Sequence, residues 1–213
     1  IYDSRTQLDP EVARSAELLR NQVDRFDLLL SDLLEMSKID AGATLLDVSP
    51  FDLSELVSNE IQVANEIAKK HNANILLYQS DTTNFVEGDP RRISRIIRNL
   101  LANAIEHAEE KPIKVTIKSN DSAISVGVRD SGQGMDAKDL DRVFDRFWRA
   151  DPARQRTLGG TGLGLSISVE DAKLHHGDIS VWAAPNKGAH FVLTLPIRHE
   201  IQIEEYPIKA GPR

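Results

Sequence analysis

The sequence predicts an α/β domain with an amphipathic bundle helix attached at its N-terminal side. Three observations carry that prediction. Stretches with a helical repeat of apolar residues alternate with short runs rich in β-branched residues, the pattern of sheet and helices sharing one core. A separate apolar seam runs through the first forty residues. Finally, Leu158-Gly-Gly-Thr-Gly-Leu-Gly-Leu165 places four glycines within six positions and runs straight into a helical pattern, Ser166 to Leu174.

Asp9-Pro10 is a good helix start, a capping carboxylate followed by proline at the first helical position. From there Leu19, Val23, Phe26, Leu30 and Leu33 recur at alternating four- and three-residue steps, with Leu29 and Leu34 widening the stripe. One helix cannot bury that face alone, so it must pack on another, from this chain or a partner. Gly42 serves as its stop, and the stretch containing Pro50 reads as a linker. Asp52 then caps a helix to Lys70, with Leu53, Leu56, Val57, Ile61, Ala64, Ile67 and Ala68 facing inward. Asn74 to Gln79 reads as a strand, and Asp89-Pro90 opens a helix through Ala108. Strands follow at Ile113 to Lys118 and Ala123 to Arg129, joined by a turn at Asn120-Asp121. After a Gly-rich break come a short helix, the Gly loop with its helix, and a last strand pair, Ile179 to Ala183 and His190 to Leu195. This divides the chain into a helical element (1–42), an α/β domain (43–199) and a tail without periodicity (200–213), expected to be loose.

Composition removes several functional classes. The 213 residues carry a formal charge of −7, which argues against a nucleic-acid surface. There are no cysteines, so disulfides, thiolate metal sites and cysteine nucleophiles are out, and a reducing cytoplasm is compatible. No apolar run approaches the roughly 18 residues that span a bilayer.

Four segments have the residue types of a phosphate or nucleotide site. In the Gly loop, bare backbone can approach a ligand and the N–H groups opening the next helix attract anions; a hinge or helix-entry turn has the same composition. Asn99 and Asn103 lie four apart on one helical face, with Glu106 and His107 a turn on, and amide oxygens can ligate a hard cation that also holds phosphates; a solvated polar face is the alternative. In Asp130-Ser-Gly-Gln-Gly-Met135 a strand-end carboxylate can accept from an exocyclic amine, or simply form an Asx turn. Arg146, Arg149, Arg154 and Arg156 offer planar forks for a terminal phosphate, or stand in solvent, while Phe144, Phe147 and Trp148 pin that segment to the domain.

In this order the segments resemble the nucleotide-binding boxes of sensor histidine kinases, members of the GHKL ATPase superfamily with the Bergerat fold, an α/β sandwich of a mixed sheet packed on helices. The resemblance rests on an Asn box at Arg98-Asn-Leu-Leu-Ala-Asn-Ala104 and a first Gly box at Asp130 to Gly134. A Phe box at Phe144 to Arg149, a second Gly box at Gly159 to Gly164 and a closing Gly188-x-x-Phe191 complete it over roughly residues 50 to 197. The helix ending Lys38-Ile39-Asp40-Ala41-Gly42 resembles the second helix of the family's dimerisation and phosphoacceptor hairpin.

The resemblance implies ATP and Mg²⁺ as cofactors. Asn103 would ligate the metal with Asn99 assisting, and Asp130 would bind the adenine amino group. Gly132 and Gly134 would let backbone and lid approach the nucleotide. Gly160, Thr161, Gly162, Leu163 and Gly164 would form the lid hinge and phosphate loop, the lid covering about 149–162. Arg149, with Arg146, would contact the γ-phosphate, and His107 would stack beside the nucleotide. Glu106 departs from the Lys or Arg common in the family and would repel a triphosphate unless it faces away or meets the metal. Water-activating relatives carry Glu where this chain has Asn99, and an amide is no general base, so hydrolysis should be slow.

The implied activity is phosphorylation of a His on an upstream helix, for transfer to an aspartate of a response regulator. None of His71, His107, His175, His176, His190 or His199 sits in the acceptor motif, so that helix is expected to lie outside the chain. The implied partners are a response regulator and a second copy joined through the helical hairpin, with no nucleic acid. The implied setting is cytoplasmic, with membrane contact only through other parts of a parent protein. A GHKL-type ATPase, or a degenerate module that binds partners without catalysis, are the rival readings.

Overall fold

The structure is a computed structural model that describes residues 10–79, 84–148 and 161–212. Helix α1 (Pro10–Asp40) is followed by β1 (Ser49–Asp52), α2 (Leu53–Lys70), β2 (Ile75–Gln79), β3 (Phe85–Gly88) and α3 (Pro90–His107). Then come β4 (Ile113–Ser119), β5 (Ala123–Arg129), α4 (Ala137–Leu140), α5 (Gly164–Leu174), β6 (Asp178–Ala183) and β7 (Ala189–Pro196).

Five strands form one mixed sheet in the order β2-β4-β5-β7-β6, parallel at β2–β4 and antiparallel elsewhere. Its inner face packs on α2, α3 and α5. Helix α3 buries Ile93, Ile96, Ile97, Leu100, Leu101, Ala104 and Ile105. Each large aliphatic side chain so buried contributes roughly 2 kcal/mol, against about 1 kcal/mol for a helix cap. Packing therefore fixes α3, and its cap fixes only where it starts. That start is set by Asp89, whose Oδ1 accepts from the N–H groups of Arg91 and Arg92 at 3.0 and 3.3 Å, with Pro90 behind it. Asp52 does the same for α2, accepting from Ser54 N–H at 2.8 Å.

Helix α1 ends as its sequence predicts. Gly42 stands at φ +63°, and the N–H groups of Gly42 and Ala43 close on the carbonyls of Ile39 and Lys38 at 2.9 and 3.1 Å. The proposed cap Asp9 lies outside the described residues. Along most of α1 the apolar seam is exposed, with Leu19, Val23, Phe26, Leu30 and Leu33 all in solvent.

Two local expectations fail. Ile67, assigned to the inner face of α2, is on the surface. The helix is narrower at its C-terminal end than its apolar stripe, and Ala64 and Ala68 alone meet the core there. The stretch around Pro50 is a strand as well as a connection: β1 pairs antiparallel with β3, Pro50 opposite Glu87, in a two-stranded sheet of its own. Proline is tolerated because this pair has edges on both sides.

The outer face of the large sheet is covered too. Ala123 through Val128 are buried without alternation, and Ser125 and Thr194 share a buried hydrogen bond of 2.8 Å. The cover is the chain past β7: the tail expected to be loose carries no regular element but is tied along β5, Asn120 Nδ2 donating to the Glu205 carbonyl at 2.8 Å, because the sheet's apolar outer face needs a cover that periodicity does not reveal.

Candidate nucleotide site

Three chain segments converge at one end of the sheet. The first is the C-terminal half of α3, where Asn99, Asn103 and His107 are half-buried on successive turns. Asn99 Nδ2 donates to the Gly164 carbonyl at 2.9 Å and to Ser168 Oγ at 3.0 Å, so the amide ties α3 to the first turn of α5. That spends its NH₂ group on protein and leaves Oδ1 as its acceptor. The family resemblance shows Asn99 as a potential ligand; its role as a tie between two helices had no signal in the sequence.

The second segment begins at Asp130, just past β5. Its carboxylate is 3% exposed, accepting from Gly132 N–H at 2.9 Å through Oδ1 and from Ala189 N–H at 3.2 Å through Oδ2. Burial raises its pKa above the ordinary aspartate value, against the pull of the Gly132 and Ala189 backbone bonds. Each oxygen keeps a lone pair, so the group can still accept from an amine. The glycines beside it pack mainly against the protein itself. A Cβ on Gly132 would lie 1.6 Å from the His107 carbonyl oxygen, and one on Gly134, at φ +67°, 1.9 Å from that of Ala184. The loop is thus pressed backbone to backbone between the end of α3 and the β6–β7 turn, whose Gly188 N–H donates to the Gly132 carbonyl at 3.0 Å.

The third segment is the end of the Gly loop. Thr161 Oγ1 donates to Asp32 of α1 at 2.6 Å and accepts from Leu163 N–H at 3.2 Å. Leu163 is buried with Ile167 against Met36 and Ile39 of α1, and Gly162 accepts from Phe147 N–H at 3.0 Å. Arg146 forks onto the Asp40 carboxylate at 2.6 and 2.9 Å on the surface, and its hydrogen bonds and charge hold the Asp40 pKa down. Thr161, Leu163 and Arg146, all assigned to the nucleotide by resemblance, are therefore engaged by α1. Arg149, Gly160, Arg154, Arg156 and most of the expected lid lie outside the described residues.

Behind the site sits an ion cluster that pattern reading missed. Asp171 of α5, fully buried, meets Arg95 Nε and Nη2 at 2.8 Å each and Arg92 Nη1 at 2.9 Å, and Glu35 of α1 meets the same Arg92 at 2.9 Å. Burial raises the Asp171 pKa despite both guanidiniums, whereas at Glu35 burial is outweighed by Arg95 and Arg92 and the pKa is lowered. His175, also buried, accepts from Asp89 N–H through Nε2 at 2.9 Å, so Nδ1–H donates to the Asp171 carbonyl at 2.6 Å. Burial keeps this ring below the usual histidine pKa, as an accepting nitrogen requires. His176 takes the left-handed position after α5 at φ +57°, and its ring meets His199 at 4.7 Å. A spacing argument cannot find these contacts, because the partners lie as far as 86 positions apart in the chain, as with Asp89 and His175.

A mixed sheet backed by three helices, an Asn-bearing helix, a strand-end carboxylate and a Gly loop opening a helix define an ATPase-like nucleotide-binding module. Residues 88–199 match the family of histidine kinase-, DNA gyrase B- and HSP90-like ATPases, and the chain belongs to that family. It is 44% identical to the sensor histidine kinase MtrB of Mycobacterium tuberculosis over 215 aligned residues, covering all of this chain and 38% of that protein. Among solved structures, the catalytic domain of histidine kinase ThkA in a nucleotide-free form matches with TM-score 0.63 and 29% identity, covering 72% of this chain and 98% of that one. Full-length ShkA in complex with AMPPNP shares the fold at TM-score 0.78 and 23% identity, over 95% of this chain and 42% of that one.

Proposed function

We propose that the chain is the ATP-binding catalytic region of a sensor histidine kinase, with the second helix of its dimerisation hairpin attached. In this reading Asp130 accepts from the adenine amino group, and the amide oxygens of Asn103 and Asn99 hold Mg²⁺ with the triphosphate. The residues fit that group: Asp130 is fixed by two backbone donors with a lone pair left on each oxygen, and Asn99 has only its oxygen to offer. Among the described residues no cluster of His, Asp or Glu competes as a metal site. Bound there, Mg-ATP supplies the γ-phosphoryl group. The chain's own residues orient the adenine end, neutralise phosphate charge through Arg149 and Arg146, and exclude water once the lid is closed.

The observation that carries kinase over hydrolase is Asn99. Its NH₂ hydrogens are committed to Gly164 and Ser168, and an amide cannot take a proton from water, so nothing at that position activates a hydrolytic nucleophile. The exposed seam of α1 supports a helical partner, the first hairpin helix and a second copy, and 44% identity to MtrB supports a response regulator as recipient. No described helix is long and apolar enough to cross a membrane, and membrane anchoring of a parent protein is part of this proposal.

The test supplies the chain with γ-labelled Mg-ATP and a longer form that keeps an upstream helix but carries Asn103→Asp. Acid-labile label on that longer form supports a histidine kinase acting in trans. Free phosphate without labelled protein makes the chain an ATPase, and no turnover with no nucleotide binding makes it a degenerate interaction module.

A further inference from the structure

The segment after β7 runs along the outer face of β5 from the strand's first residue to its last. Glu204 N–H donates to Ser122 Oγ at 3.3 Å, and the Glu205 carbonyl accepts from Asn120, both at the start of β5. Midway, the His190 ring takes the space over Gly127, its Nε2 2.8 Å from where a Cβ would stand, and Ile208 Cδ1 lies beside it at 3.7 Å from the same point. At the far end the Gly211 carbonyl accepts from Arg129 Nη1 at 2.8 Å, while the same guanidinium lies 5.1 Å from the Trp182 ring centroid on β6.

Arg129 is the last residue of β5, and its partner across the ladder, His190, is the second residue of β7. The next pair along is Asp130 with Ala189, where Asp130 N–H donates to the Ala189 carbonyl at 3.0 Å and Ala189 N–H donates to the Asp130 carboxylate. The chain's end therefore fastens the ladder one residue short of the carboxylate assigned to adenine.

We propose that residues 204–211 are a strap that positions Asp130 by clamping the ends of β5 and β7 through Arg129, making the C-terminal segment part of nucleotide recognition. The nucleotide half of this rests on the functional reading above; the clamp does not. Cutting the strap frees Arg129 from its carbonyl, lets the Asp130–Ala189 pair open more often, and loosens one of the two bonds that aim the carboxylate.

Two variants test it, a chain ending at Glu200 and a full-length Ile208→Asp, which puts a charge where the strap meets β5 without shortening the chain. Amide exchange is followed at Asp130 and Ala189, with β2 as reference, and ADP and GDP are titrated at a temperature where both variants are folded. Expected are faster exchange at those two amides with β2 unchanged, and ADP binding weakened about tenfold, the worth of one bond to a charged group, with GDP binding unmoved. Unchanged exchange at both amides in both variants overturns the strap. Faster exchange with unaltered ADP affinity overturns its role in recognition. Should the intact chain bind neither nucleotide while the two amides still speed up, the functional reading falls and the clamp on Asp130 stands.

Discussion

Replacing Gly132 with alanine introduces one methyl group at a place where the surrounding atoms cannot yield. The new Cβ would stand 1.6 Å from the His107 carbonyl oxygen and 2.8 Å from its carbon, both main-chain atoms at the end of α3. A flexible side chain could swing aside, but here the whole loop or the helix end must move by more than an ångström to reach contact distance. Overpacking costs up to about 3 kcal/mol where neighbours can adjust, so about 3 kcal/mol is a floor for a backbone-against-backbone collision. For a domain of this size each kcal/mol lowers the midpoint by roughly 2–4 °C, giving a fall of about 6–12 °C. The companion Gly42→Ala instead sits at a positive φ, +63°, with nothing within 4 Å of its Cβ, and should cost only the backbone term of about 1–2 kcal/mol. Thermal melts by circular dichroism compare the two, and titration with ADP shows whether the displaced loop has carried Asp130 away. A Gly132→Ala midpoint equal to or above that of Gly42→Ala would refute the reasoning, because it would mean the loop and α3 are not in rigid contact.

Three further outcomes are expected. Asp171→Asn takes from Arg92 and Arg95 the buried carboxylate they share, leaving Glu35 to both and Asp89 to Arg92, and breaking a buried pair of this kind costs about 3–5 kcal/mol, measurable by urea unfolding. Nucleotide affinity should fall on acidification beginning above the ordinary aspartate range, because the Asp130 pKa is raised and only the ionised form accepts from an amine with both oxygens. The same titration should stabilise the fold at this site, since the cost of burying the charge is present above the raised pKa and vanishes as pH falls through it. Isothermal titration across pH, set against Asp130→Asn, separates the two trends. Asp40→Asn should leave the thermal midpoint unmoved, as an exposed ion pair does little for stability, yet release Arg146 and tighten ATP binding at low salt, an effect lost at high salt.

Helix α3, the strands β4 to β7 and their hairpins were legible in the sequence because each carries a period, a cap or a turn residue within a few positions. Local spacing puts Asn99 and Asn103 on one helix face and Asp130 at a strand end, and it was the resemblance of the boxes in their order that joined the three into one expected site. The pairing of β1 with β3 was not, since four residues containing Pro50 show no alternation. Nor were the engagements of Arg146 with Asp40 and of Thr161 with Asp32, which join residues 106 and 129 positions apart through the docking of one exposed helix. The buried His175 was hidden for another reason: next to His176 and Gly177 it looks like part of a helix end, and only its partner Asp89 reveals what its ring does.

Helix α1 turns about 100° per residue, and on that wheel its two kinds of contact separate. Asp32, Glu35, Met36, Ile39 and Asp40, which touch Thr161, the arginine cluster, Leu163 and Arg146, fall within one arc of about 140°. Leu19, Val23, Phe26, Leu30 and Leu33 fall within another of about 80°, centred about 130° round the axis from the first. The helix is thus a two-sided shaft: a neighbouring helix can grip one flank along most of its length while the α/β domain stays seated on the other. Turning the shaft within such a grip by a quarter revolution would carry every one of the domain's footholds off its mate together, since no single contact lies far enough round the axis to survive alone.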